Sequence, residues 1–179
     1  MKLKPNKADI MISKDITVKV SDGKFNYRVG AILIDSGEIL MVKNQDSHFY
    51  YTVGGRVQFG ESLHEAILRE VYEETKIRIE IGHLAFIHEN FFTLESDGEF
   101  YHEVSLFFLM KPHKGLREAT GGSFREEYGD VSFHWLPINE IGNYHIYPEF
   151  FRSELLGMTA DVKHFVTRNE ITLPVHGIV

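Results

Sequence analysis

The chain has 179 residues, 43% hydrophobic and 25% charged, which suits one well-packed domain and argues against a disordered segment. Its net charge of −7 gives no overall field to draw a nucleic-acid backbone, which argues against duplex DNA or RNA as the main partner. There is no cysteine, so disulfides, thiolate metal sites and cysteine nucleophiles are excluded, and no apolar run approaches the ~20 residues of a membrane helix.

In chain order, residues 1–13 read as a loosely held leader, and 14–179 as a single mixed α/β domain. The leader is basic but has no apolar stretch behind it, so it is not a signal peptide, and a cytoplasmic protein is expected. "ITVKVS" and "KFNYRVGAILI" read as strands about the turn "DGK", and "DSGE" at 35–38 turns into the strand "EILMVKN". The aromatic stretch "HFYYTV" runs into Gly54-Gly55, where the chain can bend or approach a ligand closely. A helix is predicted from 62 to about 75. Beyond it, "IRIEIGHLAFIHENFFTL" and "FYHEVSLFFLM" read as two long strands around "ESDGE", 114–123 as a loop, "VSFHWLP" as a strand and "PEFFRSELLG" as a short helix.

The helix breaks a rule. Ser62 followed by Glu65 fits a capping box, which fixes its start. At 100° per residue from Leu63, Ile67 lies at about 40°, Val71 at about 80° and Ala66 at about 300°, an apolar stripe. Glu70 falls at about 340°, Glu74 at about 20° and Glu73 at about 280°, within or beside that stripe. Three carboxylates crowded near a helix C-terminus repel one another and the helix dipole, and partial burial adds to the cost. A solvated acidic face would avoid the apolar stripe; these residues do not. A divalent cation removes the conflict, and an all-oxygen ligand set suits Mg2+ or Mn2+ and not zinc.

Residues 55–77 resemble the Nudix box, G-x5-E-x7-R-E-U-x-E-E-x-G-U with U bulky and aliphatic. Gly55, Glu61, Arg69, Glu70, Val71, Glu73, Glu74 and Ile77 match, eight of the nine defined positions, and Lys76 stands in place of the second glycine. The wider pattern from Tyr27 to about 137 is also similar to a Nudix domain. The resemblance implies an α/β/α sandwich with a mixed central β-sheet and a metal-dependent pyrophosphohydrolase cleaving a nucleoside diphosphate linked to another moiety. The alternative is a Nudix-like module that senses a nucleotide or ADP-ribose without catalysis; such a module should have eroded the box, and this one keeps every carboxylate. Many relatives pair through strands or terminal segments, which leaves a homodimer open.

Carried over residue by residue, the resemblance makes Glu70 and Glu74 the main metal ligands, Glu73 a further ligand directly or through water, and the Gly55 carbonyl another. Glu61 would position the helix or hold a second ion, and Arg69 would orient a glutamate. Lys76 removes no ligand and is expected in a strained left-handed conformation. The general base in this family comes from the box or from a distant loop or strand, and Glu70 is the candidate within the box. Glu103 is a second candidate, on the strand face opposite Val104, Leu106, Phe108 and Met110. Glu126 and Glu127, ahead of the Trp135 strand, are others. Arg28 and Arg56 are positioned to meet phosphate, and Tyr51 and Phe59, flanking the box, to stack a base.

Overall fold

The computed structural model describes residues 14–45, 47–94, 98–121, 123–126 and 129–168, so the leader and Glu127 fall outside it. Strand β1 (Thr17–Val20) turns into β2 (Gly23–Ile32), and β3 (Ile34–Asp35) turns into β4 (Glu38–Asn44). Two short strands, β5 (Tyr50–Tyr51) and β6 (Gly54–Arg56), lead into α1 (Leu63–Thr75). The long antiparallel pair β7 (Ile81–Thr93) and β8 (Phe100–Met110) follows. After α2 (Leu116–Ala119) come β9 (Ser123–Glu126), β10 (Gly129–Pro137), β11 (Ile146–Tyr147), α3 (Phe151–Glu154) and β12 (Lys163–Arg168).

The strands form two mixed sheets. The first runs β1-β2-β8-β7-β12, with β6 also on β2, and its β2–β8 and β7–β12 pairs are parallel. The second runs β11-β5-β4-β10-β9, with β3 on β4. Alternation along β8 explains why both faces are covered. Val104, Leu106, Phe108 and Met110 meet Ala66, Ile67 and Val71 of α1, with Leu40 and Val42 of β4. Phe107 turns the other way, to Ile39, Met41, Phe86 and Phe151 of α3. Helices on both sides of mixed sheets make the expected α/β sandwich, with the strands divided between two sheets.

Several local expectations shift. β7 begins at Ile81, not Ile77, because the chain leaving α1 first buries Ile79 and joins β8 through an irregular register at Ile81/His83. Within "HFYYTV", Tyr50–Tyr51 forms a strand that was not anticipated. The 114–123 stretch contains α2, which Arg117 anchors to Asp35 and Glu38 while its guanidinium lies 4.3 Å from the Trp135 ring centre. β12, parallel to β7, was not anticipated. No helix among the described residues is long and apolar enough to cross a membrane.

Candidate active site

Helix α1 begins and ends as its residues dictate. Ser62 Oγ accepts the Glu65 N–H, and Glu65 Oε2 accepts the Ser62 N–H at 2.8 Å, completing the capping box. Lys76 closes the helix at φ 60°, its N–H donating to Tyr72 O and its Nζ to Glu73 O at 2.5 Å. Between these ends the helical phase holds. Ala66, Ile67 and Val71 are fully buried and Glu74 is 9% exposed. The Glu70 side chain is 14% exposed, whereas that of Glu73 is 55% exposed.

What receives the buried carboxylates is the glycine pair. β6 lies antiparallel to β2, Gly55 opposite Val29 and Gly54 opposite Gly30. Gly54 has φ +147°, and a Cβ there would lie 2.3 Å from Val29 O, so the approach of the two strands requires glycine. Its N–H donates to Glu74 Oε1 at 2.8 Å. A Cβ on Gly55 would lie 2.6 Å from the Glu70 carboxylate carbon. Glu70 therefore rests on bare backbone.

Arg69 ties the carboxylates together. Nε and Nη2 grip both oxygens of Glu61 at 2.8 and 2.9 Å, and Nη1 donates to Glu70 Oε1 at 2.7 Å and to Glu73 Oε2 at 3.1 Å. Nη2 also donates to Arg56 O at 3.0 Å, so these bonds match the five donors of a guanidinium. The bidentate contact with Arg69, aided by the Gln58 N–H, holds the Glu61 carboxyl below its usual range. Burial pushes Glu70 up despite its contact with Arg69. The same partners raise the Arg69 guanidinium further.

On the opposite face of the first sheet lies a small recess of about 30 Å3. Arg28, Tyr51, Gly54, His88, Glu103, Ser105 and Tyr147 line it. Glu103 is 3% exposed; its Oε1 accepts Ser105 Oγ–H at 3.0 Å, and its Oε2 lies 3.7 Å from Arg28 Nε without a hydrogen bond. Burial raises its pKa against the pull of Arg28. The nearby Asn26 amide also favours the charged form, although its Nδ2 is not in hydrogen-bonding geometry. His88, bonded to Thr167 Oγ1 at 2.8 Å, is pushed down to about 4 by burial.

The structure thus brings Glu61, Arg69, Glu70, Glu73, Glu74 and Gly55 together, and puts Arg28, Tyr51 and Glu103 in the recess behind them. Arg56 lies 3.7 Å from Asp15, and its carbonyl accepts from Arg69. Phe59 is 88% exposed and meets neither the box nor the recess. Glu126 ends β9. Ser105, His88, Asn90 and Tyr147 were missed. The available signal was polar residues at every second position of two otherwise apolar strands, Glu103/Ser105 and His88/Asn90.

The sequence pattern of the NUDIX domain matches residues 24–154. The chain belongs to the Nudix family. It is 27% identical over 112 residues to a MutT-like protein of Streptomyces ambofaciens, covering 63% of each chain. The chain spans less than two thirds of the length of the curated relatives it matches. The fold is similar to that of a MutT protein from Bacillus halodurans, at TM-score 0.56 and 16% identity over 80% of this chain and 90% of that one. A MutT protein from Methanosarcina mazei Go1 gives TM-score 0.54 and 23% identity over 75% and 91%.

The Nudix box residues fit a hard divalent cation in donor type: Glu70, Glu73, Glu74 and the Gly55 carbonyl offer only oxygen. The bare Gly55 backbone under Glu70 is the close approach such a site needs. Among the described residues no three acidic or imidazole side chains converge as a metal cluster. Instead, the Arg69 guanidinium stands among Glu61, Glu70 and Glu73, hydrogen-bonds to all three and offsets one of their three charges.

Proposed function

We propose that the protein is a metal-dependent pyrophosphohydrolase that cleaves a nucleoside diphosphate linked to another moiety. The observation that carries this is the placement of Glu70 and Glu74 in the buried stripe of α1, one against Gly55 and the other on the Gly54 N–H. A helix built only for packing would fill those positions with apolar side chains. Glu70, Glu73, Glu74 and the Gly55 carbonyl would hold Mg2+ or Mn2+, which when bound neutralises charge on the diphosphate and activates water.

The chain's own residues supply the rest. Gly54 N–H fixes one oxygen of Glu74 and so orients that carboxylate. Arg69 holds Glu61 by two bonds and Glu70 by one, so Glu61 sets the guanidinium and the guanidinium sets Glu70. Glu70 takes the proton from the attacking water as general base. Arg28 and Arg56, opposite each other across β2 and β6, meet the substrate's phosphates.

The test is a pair of variants assayed on diphosphate compounds with both products identified. Glu74→Gln loses activity by weakening metal binding, and excess Mn2+ recovers part of it. Glu70→Gln loses about 10² to 10⁴ in turnover that added metal does not restore. If the two variants respond alike, Glu70 is a ligand only, and the base comes from outside the box, with Glu103, Glu126 and Glu127 next. A wild-type protein that binds ADP-ribose or a nucleotide but leaves it intact with Mg2+ or Mn2+ overturns the hydrolase reading in favour of a sensor.

A further inference from the structure

One row of side chains crosses the whole first sheet on the recess face and is polar in every strand. Thr17 of β1 pairs with Asn26 of β2, Asn26 with Glu103 of β8, Glu103 with Asn90 of β7, and Asn90 with Thr167 of β12. Directly paired residues project from the same face, so the five stand side by side. The middle three are buried, Asn26 and Asn90 at 0% exposure and Glu103 at 3%. Each has one atom engaged. Asn26 Oδ1 accepts Thr17 Oγ1–H at 2.8 Å, Glu103 Oε1 accepts Ser105 Oγ–H at 3.0 Å, and Asn90 Nδ2 donates to the Tyr147 hydroxyl. Each also keeps one atom with no hydrogen bond among the described residues: Asn26 Nδ2, Glu103 Oε2 and Asn90 Oδ1. That leaves one donor and two acceptors on three neighbours in a row.

We infer that one buried water binds here, accepting from Asn26 Nδ2 and donating to Glu103 Oε2 and Asn90 Oδ1. Water complements this set, with two O–H donors for the two acceptors and a lone pair for the donor. A direct bond from Asn26 Nδ2 to Glu103 Oε2 would still leave Asn90 Oδ1 unpaired, and two acceptors cannot bond each other. Adjacent strands lie about 4.8 Å apart, a gap that one water spans with two bonds of about 2.8 Å. The recess lined by Glu103, Ser105 and Tyr147 has about 30 Å3, above the ~10–15 Å3 that one water needs. A cation does not fit the set, because the Asn26 amide would turn its N–H toward it. The water completes a polar ladder between the two edge strands of the sheet and holds the second oxygen of Glu103. None of this depends on the hydrolase reading.

Two measurements on the full chain test it. A crystal structure at about 1.5 Å resolution shows one solvent peak about 2.7–3.2 Å from all three atoms. Magnetic relaxation dispersion of water oxygen counts one long-lived water fewer in Glu103→Leu than in wild type, because an apolar cavity of this size stays dry. Glu103→Gln, which keeps an acceptor, keeps the water. Both variants are checked by thermal unfolding, and if Glu103→Leu does not fold the crystal structure decides alone. No peak at the three atoms overturns the inference, as does an Asn90 amide turned over to donate directly to Glu103 Oε2. A peak about 2.4 Å from the two oxygens, the distance of a bound cation, also overturns it. An equal water count in wild type and folded Glu103→Leu does the same.

Discussion

The two faces of the first sheet both bury a carboxylate beside an arginine, but they treat it differently. On the α1 side, Glu70 receives a 2.7 Å hydrogen bond from Arg69, whose remaining donors are taken by Glu61, Glu73 and Arg56 O. On the recess side, Glu103 stands 3.7 Å from Arg28, and one of its oxygens makes no hydrogen bond. A satisfied charge network holds geometry; a partly satisfied one is costly until a ligand completes it. The box is therefore the satisfied framework, and the recess the part that keeps a buried oxygen without a hydrogen bond.

The largest effect that could break this contrast is in stability. Arg69→Ala leaves Glu61, Glu70 and Glu73 without their shared cation, and removing one partner of a buried ion pair costs about 3–5 kcal/mol. Urea unfolding should show a lower midpoint with an unchanged slope. Glu103→Gln should cost much less, because Glu103 receives one hydrogen bond, from Ser105, and its other oxygen has none to lose. If Glu103→Gln destabilised the fold as much as Arg69→Ala, the recess pair would be structural and the contrast would fail.

Next in size is a pH effect confined to the recess. His88 is held neutral, pushed from 6.5 down to about 4, first by burial and then by the charge of His164. Between those values the unfolded chain binds a proton that the folded chain does not, so stability rises with pH there. Acidifying from 6.5 to 4 should remove on the order of 3 kcal/mol. Unfolding free energies at stepped pH should show this slope in wild type and a shallower one in His88→Asn. Equal slopes would mean that carboxylates elsewhere carry the acid sensitivity.

The box side was largely legible in the sequence because helical phase is a local property. Ser62/Glu65 fixed the start, 100° per residue placed Glu70 and Glu74 in the stripe, and the structure buries Glu74 and leaves 14% of the Glu70 side chain exposed. The recess was only partly legible because it is assembled from register. Glu103 could be assigned to the face away from α1, but nothing local says that Asn26 and Asn90 flank it, or that Ser105 lies between Arg28 and His88. Tyr147 arrives from a two-residue strand that pairs with Tyr51, a contact between residues nearly a hundred positions apart. The expectation of a metal cradle rested on charges that repel, and sequence alone did not reveal that Arg69 bonds to three of the box carboxylates.

The smallest effect sharpens the account of how the box is framed. Lys76 sits at φ 60°, where a side chain other than glycine or asparagine is disfavoured by roughly 1–2 kcal/mol. Its Nζ returns to Glu73 O at 2.5 Å and so satisfies a carbonyl that the helix end leaves open. Lys76→Gly removes the strain but also that bond, and it frees the unfolded chain, so the net gain should be at the low end, about 1 kcal/mol or less. Thermal unfolding should show a small rise in midpoint. Turnover on a cleaved diphosphate should stay the same, because Lys76 points back along its own helix and not toward Glu70 or Glu74. A large change in the rate constant would mean that the ammonium reaches the substrate, and Lys76 would then belong to the site and not to the helix end.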